Sequence, residues 1–231
     1  MVAAWIALVT GVLAAVTSGI VAFRQERLAE RMARLAHELE TEQRAAEILR
    51  RYREPLAAAA FDLQGRLYNI LRLDFFGKYG TDRERSDDAL RTTLFRLTQY
   101  FGWTEILRRD IQFLSFPDDG ETRRVAVLQT EIARRFPTDS HGTALMIWRD
   151  EQRAMGETMI VEEHGKVLCM GYARFLKEHD PHFAPWLDRL RTELHEEAAQ
   201  VRLREVQHLL CELVETLDPA RIRYVRTLQR A

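Results

Sequence analysis

From Met1 to Phe23 the chain carries no charged residue, and Arg24 is the first. A helix over residues 2–23 spans about 33 Å at about 1.5 Å per residue. That is enough for a hydrocarbon core of about 30 Å. A cleaved signal peptide has a basic leading region and an apolar stretch of about 7–15 residues; here the first is missing and the second is too long. A buried core helix seldom stays uncharged beyond about 14 residues. The pattern predicts a single N-terminal transmembrane anchor over residues 1–23. Within it Ala3, Ala7, Gly11, Ala15 and Gly19 recur every four residues. Small residues at that spacing form a flat ribbon on which a second helix can pack closely in lipid.

The periodicity then changes. Leu28, Met32, Leu35, Leu39, Ala46 and Leu49 follow a 4-3-4-3 spacing, with Glu42 as the one polar member, and no proline or glycine intervenes before Pro55. Apolar residues alternating at three and four are the seam of a coiled coil. A helical stalk over residues 24–54 is expected, with Pro55 opening the next helix. The alternative is one amphipathic helix that packs on its own domain.

Residues 55–231 read as an irregular helical bundle, so the fold class is all-α. Segment 56–75 is helical and is broken by Phe76-Gly-Lys-Tyr-Gly80. A long helix runs from Arg83 to Phe113, and Gly102 is a point where it can bend. Pro117-Asp-Asp-Gly120 is a turn. Val125, Leu128, Ile132 and Phe136 mark one apolar face of a helix over 121–136. Pro137 to Gly142 is a loop, and 149–157 is helical. Thr158–Val161 and Lys166–Met170 flank Glu-Glu-His-Gly, which makes the region near 158–170 either a short β-hairpin or two helix ends joined by a turn. Asp180-Pro181 starts a helix, with Asp as cap and Pro at the first position. A long helix then covers 183–217, and Asp218-Pro219 starts a short final one. Strands do not alternate with helices, which argues against a nucleotide-binding α/β fold.

Composition sharpens the topology. Formal net charge is −1, so no overall field favours nucleic acid. The 34 basic residues include only three lysines, Lys78, Lys166 and Lys177, and arginine is spread evenly along the chain. None precedes the apolar span, whereas Arg24, Arg27, Arg31 and Arg34 follow it closely. Basic residues stay on the cytoplasmic side, so the N-terminus is expected outside the plasma membrane and the C-terminal domain in the cytoplasm. Two cysteines in unrelated segments, Cys169 and Cys211, form no disulfide framework and fit a reducing compartment.

Catalytic signatures are sparse. There is no Gly-rich phosphate loop, no GxSxG and no HExxH. Glu205-Val-Gln-His208 is a single ExxH element, whereas a carboxylate-bridged di-metal bundle uses two, with two further glutamates. It reads as the solvated face of a helix. Glu178-His-Asp-Pro-His182 crowds two imidazoles and two carboxylates, and reads as an exposed turn with Asp180 as cap. His141 and His164 each precede a glycine in a chain reversal. The cysteines read as small buried hydrophobes. Tyr100 to Asp110 and Trp148 to Arg153 mix aromatics with arginines, which are expected to pair with Glu105, Asp110, Asp150 or Glu151 rather than line an anion pocket. Residues 219–231 carry Arg221, Arg223, Arg226 and Arg230 without an acid. With Ile222, Val225 and Leu228 they suggest a terminal helix on the bundle or, alternatively, a strip against anionic lipid.

No cofactor or metal is expected. The expected partners are the lipid bilayer, a second copy joined through residues 3–49, and an unidentified protein, but not nucleic acid. The self-association candidates are Ala7, Gly11, Ala15, Gly19, Leu28, Met32, Leu35, Leu39 and Leu49. The function expected is that of a membrane-tethered cytoplasmic interaction or scaffold protein. The alternative is a membrane-bound enzyme or small-ligand sensor with a polar pocket in the bundle.

Overall fold

The structure is a computed structural model that describes the backbone of residues 2–79, 83–111, 120–178, 180–224 and 227–231. It describes their side chains except at 2–22, 41, 42, 45, 83, 111, 121, 178 and 180–182. Helix dominates, accompanied by one two-stranded sheet. The order is α1 (Val2–Arg72), α2 (Phe75–Tyr79), α3 (Arg83–Ile111), α4 (Glu121–Arg135), α5 (Arg149–Thr158), β1 (Ile160–Glu163), β2 (Lys166–Cys169), α6 (Tyr172–Glu178), α7 (Asp180–Glu193) and α8 (Glu197–Leu217). The chain divides into two compact units, Met1–Arg44 and Ala45–Ala231.

The first unit is helical from Val2. Its described seam residues Leu28, Met32, Leu35 and Leu39 all point into solvent. Arg44 pairs with Glu40 one turn away, and Arg27 lies over the Phe23 ring. The proposed anchor, with Ala7, Gly11, Ala15 and Gly19, lies outside the described side chains. Among the described residues no helix is long and apolar enough to cross a membrane.

The second unit has one continuous apolar core. In α1 the buried positions Leu49, Tyr52, Leu56, Ala60, Leu63, Leu67 and Ile70 recur at three and four, the signature of one helix face against a core. Helix α4 buries Val125, Leu128 and Ile132 and packs along α8. Arg124–Glu212 at 2.9 Å and Arg135–Glu205 at 3.7 Å flank that contact. Helices α3 and α5 pack closely. A Cβ added at Gly156 would lie 2.7 Å from the Phe101 carbonyl oxygen and 3.0 Å from Glu105 Cβ. The crossing therefore depends on the missing side chain.

Residues 160–169 form the hairpin. Strand β1 pairs antiparallel with β2, with Glu163 opposite Lys166. His164 and Gly165 between them both have positive φ, 52° and 71°, as a two-residue turn of the type favoured in hairpins requires. The hairpin seats on α3 at Gly102. A Cβ there would lie 2.7 Å from Cys169 Sγ and 2.9 Å from Met159 Cβ. Gly102 thus serves close packing inside an unbroken α3, not a bend.

Four boundaries differ from the sequence reading. Pro55 lies inside α1 and opens no new helix. It lacks an N–H, but burial of Tyr52 before it and of Leu56 and Ala57 after it keeps the helix running. The break read at Phe76–Gly80 falls instead at Leu73 and Asp74, and Phe75–Tyr79 form α2. The long helix expected over 183–217 is two, because Glu196 adopts extended backbone (φ −68°, ψ 143°) as the cap of α8. The Gln200 side chain donates to the freed Leu194 carbonyl at 2.9 Å. Among the described residues after Asp218 no α-helix forms. The Asp218 carboxylate instead accepts from the backbone N–H groups of Ile222, Arg223 and Tyr224 at 2.9–3.1 Å, closing a loop. Of the predicted apolar strip, Ile222 is 72% exposed and Leu228 packs on the core, while Val225 lies outside the described residues. So do the turn at 117–120 and Phe113, apart from Gly120.

Candidate functional site

Two features of the described residues can engage a partner, one in each unit. The first is the seam of α1. Leu28, Met32, Leu35 and Leu39 are 61%, 60%, 52% and 56% exposed. Single exposed apolar side chains are ordinary, but a contiguous row is the mark of a contact surface. Leu49, the last predicted member, is 4% exposed and belongs to the core of the second unit. It is therefore occupied within the protein. Ala46 is exposed.

The second feature is a cleft of about 380 Å³ between α2, α3 and α7, where Asp74, Ser86, Arg191 and His195 meet Phe76 and Leu90. Arg191 donates to Asp188 and to Asp87, both at 2.8 Å. Asp74 sits in the left-handed region at φ 48°, which a non-glycine residue enters only when its surroundings hold it there. Leu190 and Leu194 form the floor. Behind them lies a second cavity of about 30 Å³, lined almost wholly by Leu, Ile and Phe. None of the cleft's polar residues, Asp74, Ser86, Arg191 and His195, stood out in the amino-acid pattern.

The other predicted constellations are structural. Arg108 and Arg109 both bond Glu105, at 2.7 and 2.8 Å, and Arg109 also reaches Glu157 at 3.1 Å. Burial alone would raise the Glu105 carboxyl, but the two guanidinium hydrogen bonds override it and hold the group below its ordinary value. Asp110 accepts instead from Tyr52 Oη at 2.6 Å. Burial, then the Asp110 bond, pushes that phenol up. Glu151 accepts from the Trp148 backbone N–H at 2.6 Å, and the Trp148 ring is exposed. Arg153 approaches Asp150 at 3.8 Å.

Glu205 and His208, read as a solvated face, are both engaged. Glu205 lies 3.1 Å from His141 Nε2, and His208 Nε2 lies 2.6 Å from the Ala231 carbonyl oxygen. The side chains of the Glu178–His182 cluster lie outside the described residues. Burial raises both thiols, Cys169 to about 12 and Cys211 to about 11, so neither is a ready nucleophile.

Burial also uncovers groups with no signal in the pattern. Arg202 is fully buried. Its guanidinium donates to the carbonyls of Thr138 (2.6 Å), Gly142 (2.7 Å) and Ala144. The Glu193 carboxylate takes the Leu145 N–H at 2.6 Å, and Arg189 donates to the Met146 carbonyl at 2.6 Å. Three charged side chains of α7 and α8 thereby satisfy the backbone of the loop at 138–146. No family model matches the chain, and neither a curated protein nor a solved structure matches it.

Proposed function

We propose that this protein is a membrane-tethered helical scaffold that self-associates through α1, with residues 1–23 as the anchor and the C-terminal unit on the cytoplasmic side. The observation that carries the reading is the row Leu28, Met32, Leu35 and Leu39, more than half exposed at coiled-coil spacing. The uncharged span before Arg24 and the arginines after it supply anchor and orientation. A second copy supplies the same apolar row. In a parallel pair both anchors enter the bilayer side by side, and the ribbon Ala7–Gly11–Ala15–Gly19 favours close approach there.

The test is disulfide crosslinking in native membranes from single cysteines placed at positions 28–39 in a chain lacking Cys169 and Cys211. Crosslinks should peak at 28, 32, 35 and 39, and Leu35→Glu should weaken them while the melting temperature of the second unit stays unchanged. A flat crosslinking profile would refute self-association. A melting temperature lowered by Leu35→Glu would mean that the seam packs inside one chain.

The cleft at Asp74, Arg191 and His195 favours a second reading, a membrane-bound ligand sensor or enzyme. A screen of charged metabolites by thermal shift, with Arg191→Ala as the control, separates it from the scaffold reading.

A further inference from the structure

Residues 227–231 lie against α8 and are held there by side chains that read main chain. The Gln207 carboxamide does so twice. Its Nε2 donates to the Gln229 carbonyl at 2.6 Å, and its Oε1 accepts from the Ala231 N–H at 3.1 Å. In an extended chain the carbonyl of one residue and the N–H two residues on point the same way. One amide side chain can therefore satisfy both, as a neighbouring strand would. His208 Nε2 meets the Ala231 carbonyl oxygen at 2.6 Å, and Arg230 pairs with Glu215 at 2.8 Å.

The floor beneath is polar and wholly buried. Gln207 also donates to Gln64 Oε1 at 3.1 Å, and Cys211 Sγ lies 3.6 Å from the Gln229 oxygen. Without residues 227–231 these groups would lack acceptors and donors, which is costly for buried polar atoms. The segment's apolar burial is confined to Leu228 and Ala231. Thr227, Gln229 and Arg230 are exposed, and Ile222 just before them projects into solvent. A short segment held by two apolar residues, a few hydrogen bonds and one surface ion pair opens at lower free-energy cost than the helical core around it.

We propose that the groove of Gln64, Gln207, His208, Cys211 and Glu215 is a peptide-binding site that accepts an extended segment in trans, and that its trans occupant is residues 227–231 of a second copy. The same residues in cis are its resident competitor. The fit is guaranteed residue by residue, since the seated segment and the arriving one are identical. The contact is separate from the α1 seam and stands without it.

The experiment uses the full chain and a fluorescein-labelled peptide of residues 222–231, followed by anisotropy. Arg230→Glu in the protein sets two acids against each other, weakens the cis segment and should tighten peptide binding about threefold over wild type. Adding Gln207→Leu to that protein should weaken binding at least about tenfold, because two hydrogen bonds to the peptide are lost. A peptide carrying Arg230→Glu should bind the unmodified groove more weakly than the native peptide, a comparison that does not depend on any protein variant folding. Absence of saturable binding to the Arg230→Glu protein would overturn the proposal. Equal binding of a scrambled peptide would overturn it as well.

Discussion

Gly156→Ala tests the close approach of α5 to the backbone of α3. The added methyl carbon would sit 2.7 Å from the Phe101 carbonyl oxygen, a backbone atom inside α3, and 3.0 Å from Glu105 Cβ. Neither neighbour can rotate away, so α3 and α5 must move apart. Overpacking of this kind costs about 1–3 kcal/mol, and a clash with helix backbone belongs near the upper end. Replacing a mid-helix glycine by alanine returns about 1 kcal/mol through helix propensity. The net expectation is a loss of about 2 kcal/mol, or about 4–8 °C in melting temperature for a unit of this size. Gly65→Ala is the internal control. It is also inside a helix, but a Cβ there meets nothing within 4 Å. It should stabilise by about 0.5–1 kcal/mol. Thermal melts followed by circular dichroism read both. If Gly156→Ala melts at or above wild type, the two helices do not cross at that distance and the reasoning fails.

Glu105→Gln should cost about 2 kcal/mol at neutral pH by removing the negative charge and one of the two oxygens that accept from Arg108 and Arg109. Its effect should shrink in acid. The folded carboxyl titrates below its ordinary 4.5, so its contribution is present above 4.5 and is lost as pH falls through the depressed value; urea melts between about pH 3 and 7 check the convergence of the two proteins. Arg202→Met keeps the apolar stem but strands three carbonyls, and should lower stability by about 3 kcal/mol while raising hydrogen exchange selectively over 143–147. Asp218→Ala removes the acceptor of three backbone N–H groups. It should speed thiol labelling of Cys211, which lies beneath residue 229, with labelling of Cys169 unchanged.

Where apolar spacing was strong, the fold could be read directly. Val125, Leu128, Ile132 and Phe136 marked a helix face, and all four are buried. The Glu-Glu-His-Gly turn left a hairpin open as one option, and the positive φ of His164 and Gly165 settles that option. Pro55 misled because a local rule about helix starts yields to the core contacts on either side. The break at residues 194–196 escaped notice because Leu194 continues the apolar period of α7 while its carbonyl is satisfied from Gln200. The apolar row from Leu28 to Leu39 could be read in the sequence, and the structure leaves it exposed. Leu49 fits the same period for a different reason, since one spacing serves a seam and a core face alike. The cleft was not legible, because Asp74, Ser86, Arg191 and His195 come from three separate stretches. Nor was Arg202. Nothing in Val-Arg-Leu-Arg distinguishes the fully buried Arg202 from Arg204 two residues on.

The role of Arg202 sets an order on biosynthesis. The carbonyls it satisfies precede it by 58 to 64 residues. At about 5–20 residues per second, the loop waits about 3–13 s on the ribosome for its donor. Until then Ala144, Leu145, Met146 and Ile147, all buried in the finished protein, have no cover held in place. The nascent chain passes through a window in which a chaperone has an apolar stretch to hold. Fragments that stop short of α8 remain in that window permanently. Those ending after Leu217 have already left it.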